Sequence, residues 1–302
     1  MIVIGFAAFE RWEDFYMRRQ IKGQTFDEER ALYNLCSCDV VDCVFAGPAD
    51  GESVLKETRD IGVYKCSFSL RYPLWHAKGF LLSDSELDEL TRAPIWYSSN
   101  GRIENCRIKG VKCLRECNNI DIQASDIVSP EFGWKCRSLR ITDSVMDSEY
   151  FLFESEDVDI KGLRMSGKYS FQYMNNVRIR NSVMDTKDAF WHSKDVVVED
   201  SVLNGEYLGW FSDGLTLRNC RINGTQPLCY CKNLVLENCI MENTDLAFEY
   251  SDVEADVKGN ILSVKNPKSG HITADSIGEI ILEGAVMDTN CEIKERTPRS
   301  RS

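Results

Sequence analysis

The chain has 302 residues, 43% hydrophobic and 28% charged, which is enough apolar material for a continuous core beneath a well-solvated surface. Its formal net charge of −12 argues against a non-specific nucleic-acid binder and favours neutral ligands over polyanions unless local Lys and Arg offset the field. No apolar run approaches the roughly 20 residues that span a bilayer, so no membrane association is expected.

Residues 1–16 are foreign to the pattern that follows. Ile2 to Ala8 is apolar, but no basic segment precedes it and Glu10, Glu13 and Asp14 follow, so it does not read as a signal peptide. Met17 is the expected native start, because Trp12-Glu13-Asp14 can be encoded by a purine-rich ribosome-binding sequence. The domain reading is 1–20 as an N-terminal extension, 21–290 as one repeat domain and 291–302 as a tail. Gln24 to Ala31 leads into the first coil at Leu32, where it is placed to cover the open end.

From there one template recurs: an alternating strand, a polar residue, then a small one, as in Leu215-Thr-Leu-Arg-Asn-Cys-Arg-Ile222 and Leu234-Val-Leu-Glu-Asn-Cys-Ile-Met241. The small residue falls at Cys43, Cys66, Ser85, Cys106, Ser125, Ser144, Leu163, Ser182, Ser201, Cys220 and Cys239, and from Cys106 onward the spacing is 19 residues seven times running. Three residues before this anchor stand Val40 to Leu236, and two after it Phe45 to Met241, all apolar and all expected inside. The residue before the anchor is usually Asp or Asn, types that tolerate left-handed backbone at tight bends. Short strands at period two, bent once per coil and lacking a helical period, bury their faces by parallel stacking. The fold expected is all-β, a right-handed single-stranded parallel β-helix with about 19 residues per coil and about 11 to 13 coils.

The 13 Cys lack the paired spacing of a structural zinc site, and a domain of this size needs no disulfide staples. Reduced thiols in a cytoplasmic protein, with no metal and no cofactor, is the reading.

A second strand per coil carries two unusual columns. One runs Lys56, Trp75, Trp96, Arg115, Trp134, Phe153, Gln172, Trp191, Trp210, Cys229 and Phe248; the next runs Glu57, His76, Tyr97, Glu116, Lys135, Glu154, Tyr173, His192, Phe211, Tyr230 and Glu249. Period-two alternation places only one of them outside, and the Trp column is the better candidate because Lys56, Arg115 and Gln172 are costly in a narrow core. Outward, it forms an aromatic ladder suited to the apolar faces of sugar rings. Trp75, Trp96, Trp134, Trp191 and Trp210 are then platforms, with Arg115 and Gln172 as polar contacts. If the second column is outward, Glu154, Tyr173 and His192 sit on consecutive coils about 4.8 Å apart, near Lys168 and Asp188, and offer acid/base chemistry. His76 and His192 lie six coils apart and cannot share a metal.

The stretches Gly47-Pro-Ala-Asp-Gly-Glu-Ser53, Arg71-Tyr-Pro-Leu-Trp-His76, Ser129-Pro-Glu-Phe-Gly-Trp134, Lys168-Tyr-Ser-Phe-Gln-Tyr173, Asp185-Thr-Lys-Asp-Ala-Phe-Trp-His192 and Gly224-Thr-Gln-Pro-Leu-Cys-Tyr230 resemble the bacterial domain-of-unknown-function 3737 family over about Ile21 to Glu283. The resemblance implies a pectin-lyase-like right-handed β-helix of unestablished activity. The wider β-helix lyases and polygalacturonases use clustered Asp residues with calcium, or an Asn-Thr-Asp, Asp-Asp, Gly-His and Arg-x-Lys set, and neither is present here.

Three readings follow. The first is a carbohydrate- or glycoside-binding β-helix using the ladder. The second is a lyase, hydrolase or epimerase using Glu154, Tyr173, His192 and Lys168. The third is a scaffold whose ladder is a protein interface, with the oligomeric state left open.

Overall fold

The structure, a computed structural model, describes residues 18–296. The columns expected inside are inside. Ile103, Ile122, Ile141, Ile160, Ile179, Val198, Leu217 and Leu236 are Cα partners on successive parallel strands, and all are buried. Each such side chain stabilises the fold by about 1.5–3 kcal/mol relative to an exposed one, and truncating one to Ala leaves a cavity that costs about 2–5 kcal/mol. The next coil supplies the contacts that a lone coil lacks, so the chain winds into a right-handed parallel solenoid of about 15 turns with about 19 residues each.

Beyond the eleven anchored coils, the further turns are made by segments without the anchor signature, which carries the count slightly past the expected 11 to 13. Arg19–Lys22 pairs with Cys36–Val41, but Gly23-Gln24 stands where later coils have Asp or Asn before the small residue. Beyond a register shift between Leu236 and Cys239, Asp252–Lys258, Ser269–Ala274 and Glu292–Glu295 continue the stack at other spacings. Parallel pairing therefore extends from Arg19 to Glu295, while the expectations for residues 1–17 lie outside the described residues.

The residue before the anchor bends the chain as expected: Asp42, Asp84, Asn105, Asp143, Asn181, Asp200, Asn219 and Asn238 all have φ between 47° and 55°. Their side chains also stack, the Asn105 amide donating to Asp84, Asn219 to Asp200 and Asn238 to Asn219. The anchors themselves bond across coils. Cys106 N–H donates to Ser125 Oγ at 3.1 Å, Ser125 N–H to Ser144 Oγ at 3.2 Å and Ser182 N–H to Ser201 Oγ at 3.1 Å. Each of these three Ser hydroxyls donates in turn to the carbonyl two residues back, so the bend's buried polar groups are satisfied. All 13 Cys are free thiols, 11 of them buried.

Candidate functional site

Among the described residues the second strand is regular in five coils, at Leu74–Trp75, Ile95–Trp96, Cys113–Arg115, Glu131–Trp134 and Tyr150–Phe151. Later coils pass the same place in tight turns with Phe171, Phe190 and Leu228 in left-handed backbone.

From Trp75 to Trp210 both side-chain columns reach the surface, which corrects the expectation of only one, whereas Cys229 and Phe248 at the far end of the Trp column are fully buried. The cause is backbone: His76, Tyr97, Glu116, Lys135, Glu154, Tyr173, His192, Phe211 and Tyr230 all have φ between 50° and 60°. A left-handed residue breaks the alternation on which the period-two rule depends. In each coil a buried residue precedes the Trp column (Leu74, Ile95, Leu114, Phe190), the Trp-column residue is half-buried up to Trp210, and the next is mostly exposed. A buried residue, in most coils small, then closes the corner, giving Ala77, Ser98, Cys117, Cys136, Ser155, Ser193, Ser212 and Cys231. This is a second Ser/Cys ladder, with Ala77 N–H donating to Ser98 Oγ at 3.0 Å and Cys136 N–H to Ser155 Oγ at 2.9 Å.

The Trp rings turn their faces on one another. Trp75 and Trp96 are 5.3 Å apart and 4° from parallel; Trp191 and Trp210 are 5.4 Å apart and 6° from parallel. Arg115 lies between Trp96 and Trp134, its guanidinium 4.7 and 4.8 Å from the two ring centroids, and pairs with Glu131 at 3.0 Å. Every indole in the column donates its N–H to the backbone of the next coil: Trp75 to Ala93, Trp96 to Lys112, Trp134 to Tyr150, Trp191 to Tyr207 and Trp210 to Gln226, at 2.7–3.0 Å. Gln172 does the same with the Asp188 carbonyl at 3.0 Å. The feature that unites Trp, Arg and Gln here is a side-chain N–H donor at fixed reach, a signal present in the sequence and not read from it.

Outside this support lies an exposed ladder. Tyr173 stacks on His192, His192 on Phe211 and Phe211 on Tyr230, with centroid separations of 5.0, 5.0 and 4.8 Å and interplanar angles of 14°, 6° and 11°. Tyr230 continues to Tyr250 at 5.9 Å. Tyr173 is 49% and Phe211 44% exposed and His192 is exposed between them, while Tyr230 is half-buried, so the ring edges form a solvent-facing stripe that is most open over Tyr173 to Phe211. Trp210 meets Phe211 and Tyr230 edge-on, tying the two ladders together.

Of the four residues considered for acid/base chemistry, the structure brings Tyr173 and His192 into contact. Glu154, one coil earlier, faces Lys135 at 3.5 Å. Lys168 bonds Glu149 at 3.1 Å beside Tyr169, and that hydrogen bond holds its ammonium above the usual lysine range. Asp188 is buried, and burial pushes its carboxyl above the ordinary aspartate value. Among the described residues no group of three or more His, Cys, Asp or Glu is placed to hold a metal ion, and no helix is long and apolar enough to cross a membrane.

Among solved structures, the chain is similar to PfbA, a surface adhesin of Streptococcus pneumoniae, at 11% identity over 83% of this chain and 84% of that one, with a TM-score of 0.50. The A-module of the Azotobacter vinelandii mannuronan C-5 epimerase AlgE4 aligns at 12% identity over 93% and 88% of the two chains, with a TM-score of 0.32. At such identities the adhesin likeness speaks to the β-helix fold alone. A search of curated proteins finds no match. The family described as "Protein of unknown function (DUF3737)" matches residues 19–294, and the chain belongs to that family.

Proposed function

We propose that the protein binds an extended, neutral or weakly charged carbohydrate along the outer ring ladder, with Tyr173, His192, Phe211 and Tyr230 as the contact stripe. The observation that carries this reading is the row of exposed rings about 5 Å apart on consecutive coils. An exposed aromatic patch of this length marks a binding surface, and its tyrosine hydroxyls and imidazole supply partners for sugar hydroxyls. The rim of Trp210 flanks the stripe, meeting Phe211 and Tyr230 edge-on. Trp75, Trp96, Trp134, Arg115 and Gln172 act chiefly as its support, since their ring faces or polar ends already have partners.

The test is a fluorescence titration of the full-length protein with neutral oligosaccharides of increasing length, using Trp210 beside Phe211 as the reporter. Saturable binding that tightens with chain length and weakens at least tenfold in Phe211→Ala supports the proposal. No response to any oligosaccharide, or sedimentation as a dimer that Phe211→Ala converts to monomer, overturns it in favour of a protein interface.

A further inference from the structure

The exposed column ends, on its N-terminal side, in a depression of about 260 Å³ lined by Glu57, Arg59, His76 and Lys78. Arg59 and Lys78 are Cα partners on adjacent parallel strands, so a guanidinium and an ammonium leave the same face one coil apart, about 4.8 Å. Neither has an ion-pair partner among the described residues. Cations elsewhere on this strand column and its neighbours are neutralised, as where Arg137 has Glu156 and Arg218 has both Glu199 and Glu237. Beside the two cations, the Tyr33 hydroxyl donates to the Glu57 carboxylate at 2.6 Å, and the exposed His76 stacks on Tyr97 with centroids 5.0 Å apart. The Tyr33 hydrogen bond, together with the charges of Lys56, His76 and Arg30, holds Glu57 below the usual carboxylate range, so at neutral pH it is an acceptor.

We propose that this depression binds a small hydroxylated anion, a monosaccharide carrying a carboxylate or a phosphate. Arg59 and Lys78 take the anionic group by charge-assisted hydrogen bonds. Glu57 accepts sugar hydroxyls, which a bare inorganic anion cannot offer, and His76 provides a second polar edge. The site stands on its own geometry and does not require a glycan on the ladder.

Calorimetric titration of the full-length protein at low ionic strength, with D-glucuronate, glucose 6-phosphate, inorganic phosphate and D-glucose, tests it. Expected is saturable binding of at least one sugar anion, weaker binding of phosphate and none of glucose, with the stronger sugar anion identifying the preferred group. Arg59→Gln, Lys78→Gln and Glu57→Gln each weaken the interaction about tenfold or more, as for the loss of a hydrogen bond to a charged group, while Lys194→Gln, in the same column six coils on, does not. With three His in the chain, the His76 imidazole resonances also report occupancy directly in the unsubstituted protein. Absence of saturable binding by both sugar anions, binding unchanged in the Arg59→Gln/Lys78→Gln double variant, or a His76 signal that does not move at saturation overturns the assignment.

Discussion

Ser201 Oγ accepts the amide hydrogen of Ser182, one coil earlier, at 3.1 Å and donates its own to the Glu199 carbonyl at 2.7 Å. Ser201→Ala removes both bonds and leaves a buried N–H without a partner, so it should lower unfolding free energy by about 1–3 kcal/mol. Ser201→Cys, which imitates the neighbouring Cys220 anchor, should cost less. Urea denaturation reads both, and equal losses would show that the hydroxyl's bonds are not what the position requires.

The two ladders should separate by mutation. Trp191→Ala loses a stacked face and the indole bond to Tyr207, and should destabilise the protein by about 3 kcal/mol. Tyr173→Ala, half-exposed on the outside, should change stability by about 0.5 kcal/mol or less while weakening oligosaccharide binding. Thermal melts alongside titrations decide it. A Tyr173→Ala loss as large as that of Trp191→Ala would make the outer ladder structural.

Thiol reactivity should follow burial. Cys36 is exposed and should react with a disulfide reagent at pH 8 without denaturant. Burial pushes Cys66 and Cys106 up to about 11, so they are protonated and shielded and should stay silent until the chain unfolds. Rapid native modification of more than Cys36 and the half-buried Cys291 would contradict the closed anchor column.

Asp188 should make stability depend on pH. Burial raises its folded value above the unfolded one, so the folded state holds this proton more tightly. Its contribution is fully present below the unfolded value and is lost as pH rises through the folded one. Asp188→Asn, neutral throughout, should therefore melt higher than the parent protein at pH 7, and the difference should close as pH falls into the aspartate range. A gap that widens on acidification would mean that the carboxylate, not the acid, is the form the fold stabilises.

The repeat was legible because its cause is local. Asp200 and Asn219 bend the chain, Ser201 and Cys220 fit the corner, and Val198 and Leu217 fill the core, all at one spacing. The terminal coils, Arg19–Lys22 at one end and Asp252–Lys258 to Glu292–Glu295 at the other, are not marked by that spacing because their strands follow other turns. The orientation of the candidate site was not legible for a different reason. His192, Phe211 and Tyr173 adopt φ of 56–60°, a conformation that sequence preference assigns to Gly and Asn, and only the stacking of neighbouring coils imposes it. The rings could be placed on consecutive coils from the sequence, but their exposure could not.

Because each coil bonds chiefly to the one before and the one after, the molecule behaves as a ruler graduated in single turns. A deletion of 19 residues, such as Leu163 to Asn181, would remove one graduation and rejoin matching positions, shortening the ring stripe by one rung. A deletion one residue shorter would instead face Ser144 against Asn181 and Glu154 against Trp191 across the cut. Over evolutionary time the reach of this surface can thus change only in steps of about 4.8 Å, and a ligand with its own repeat would be matched by counting turns rather than by reshaping a pocket.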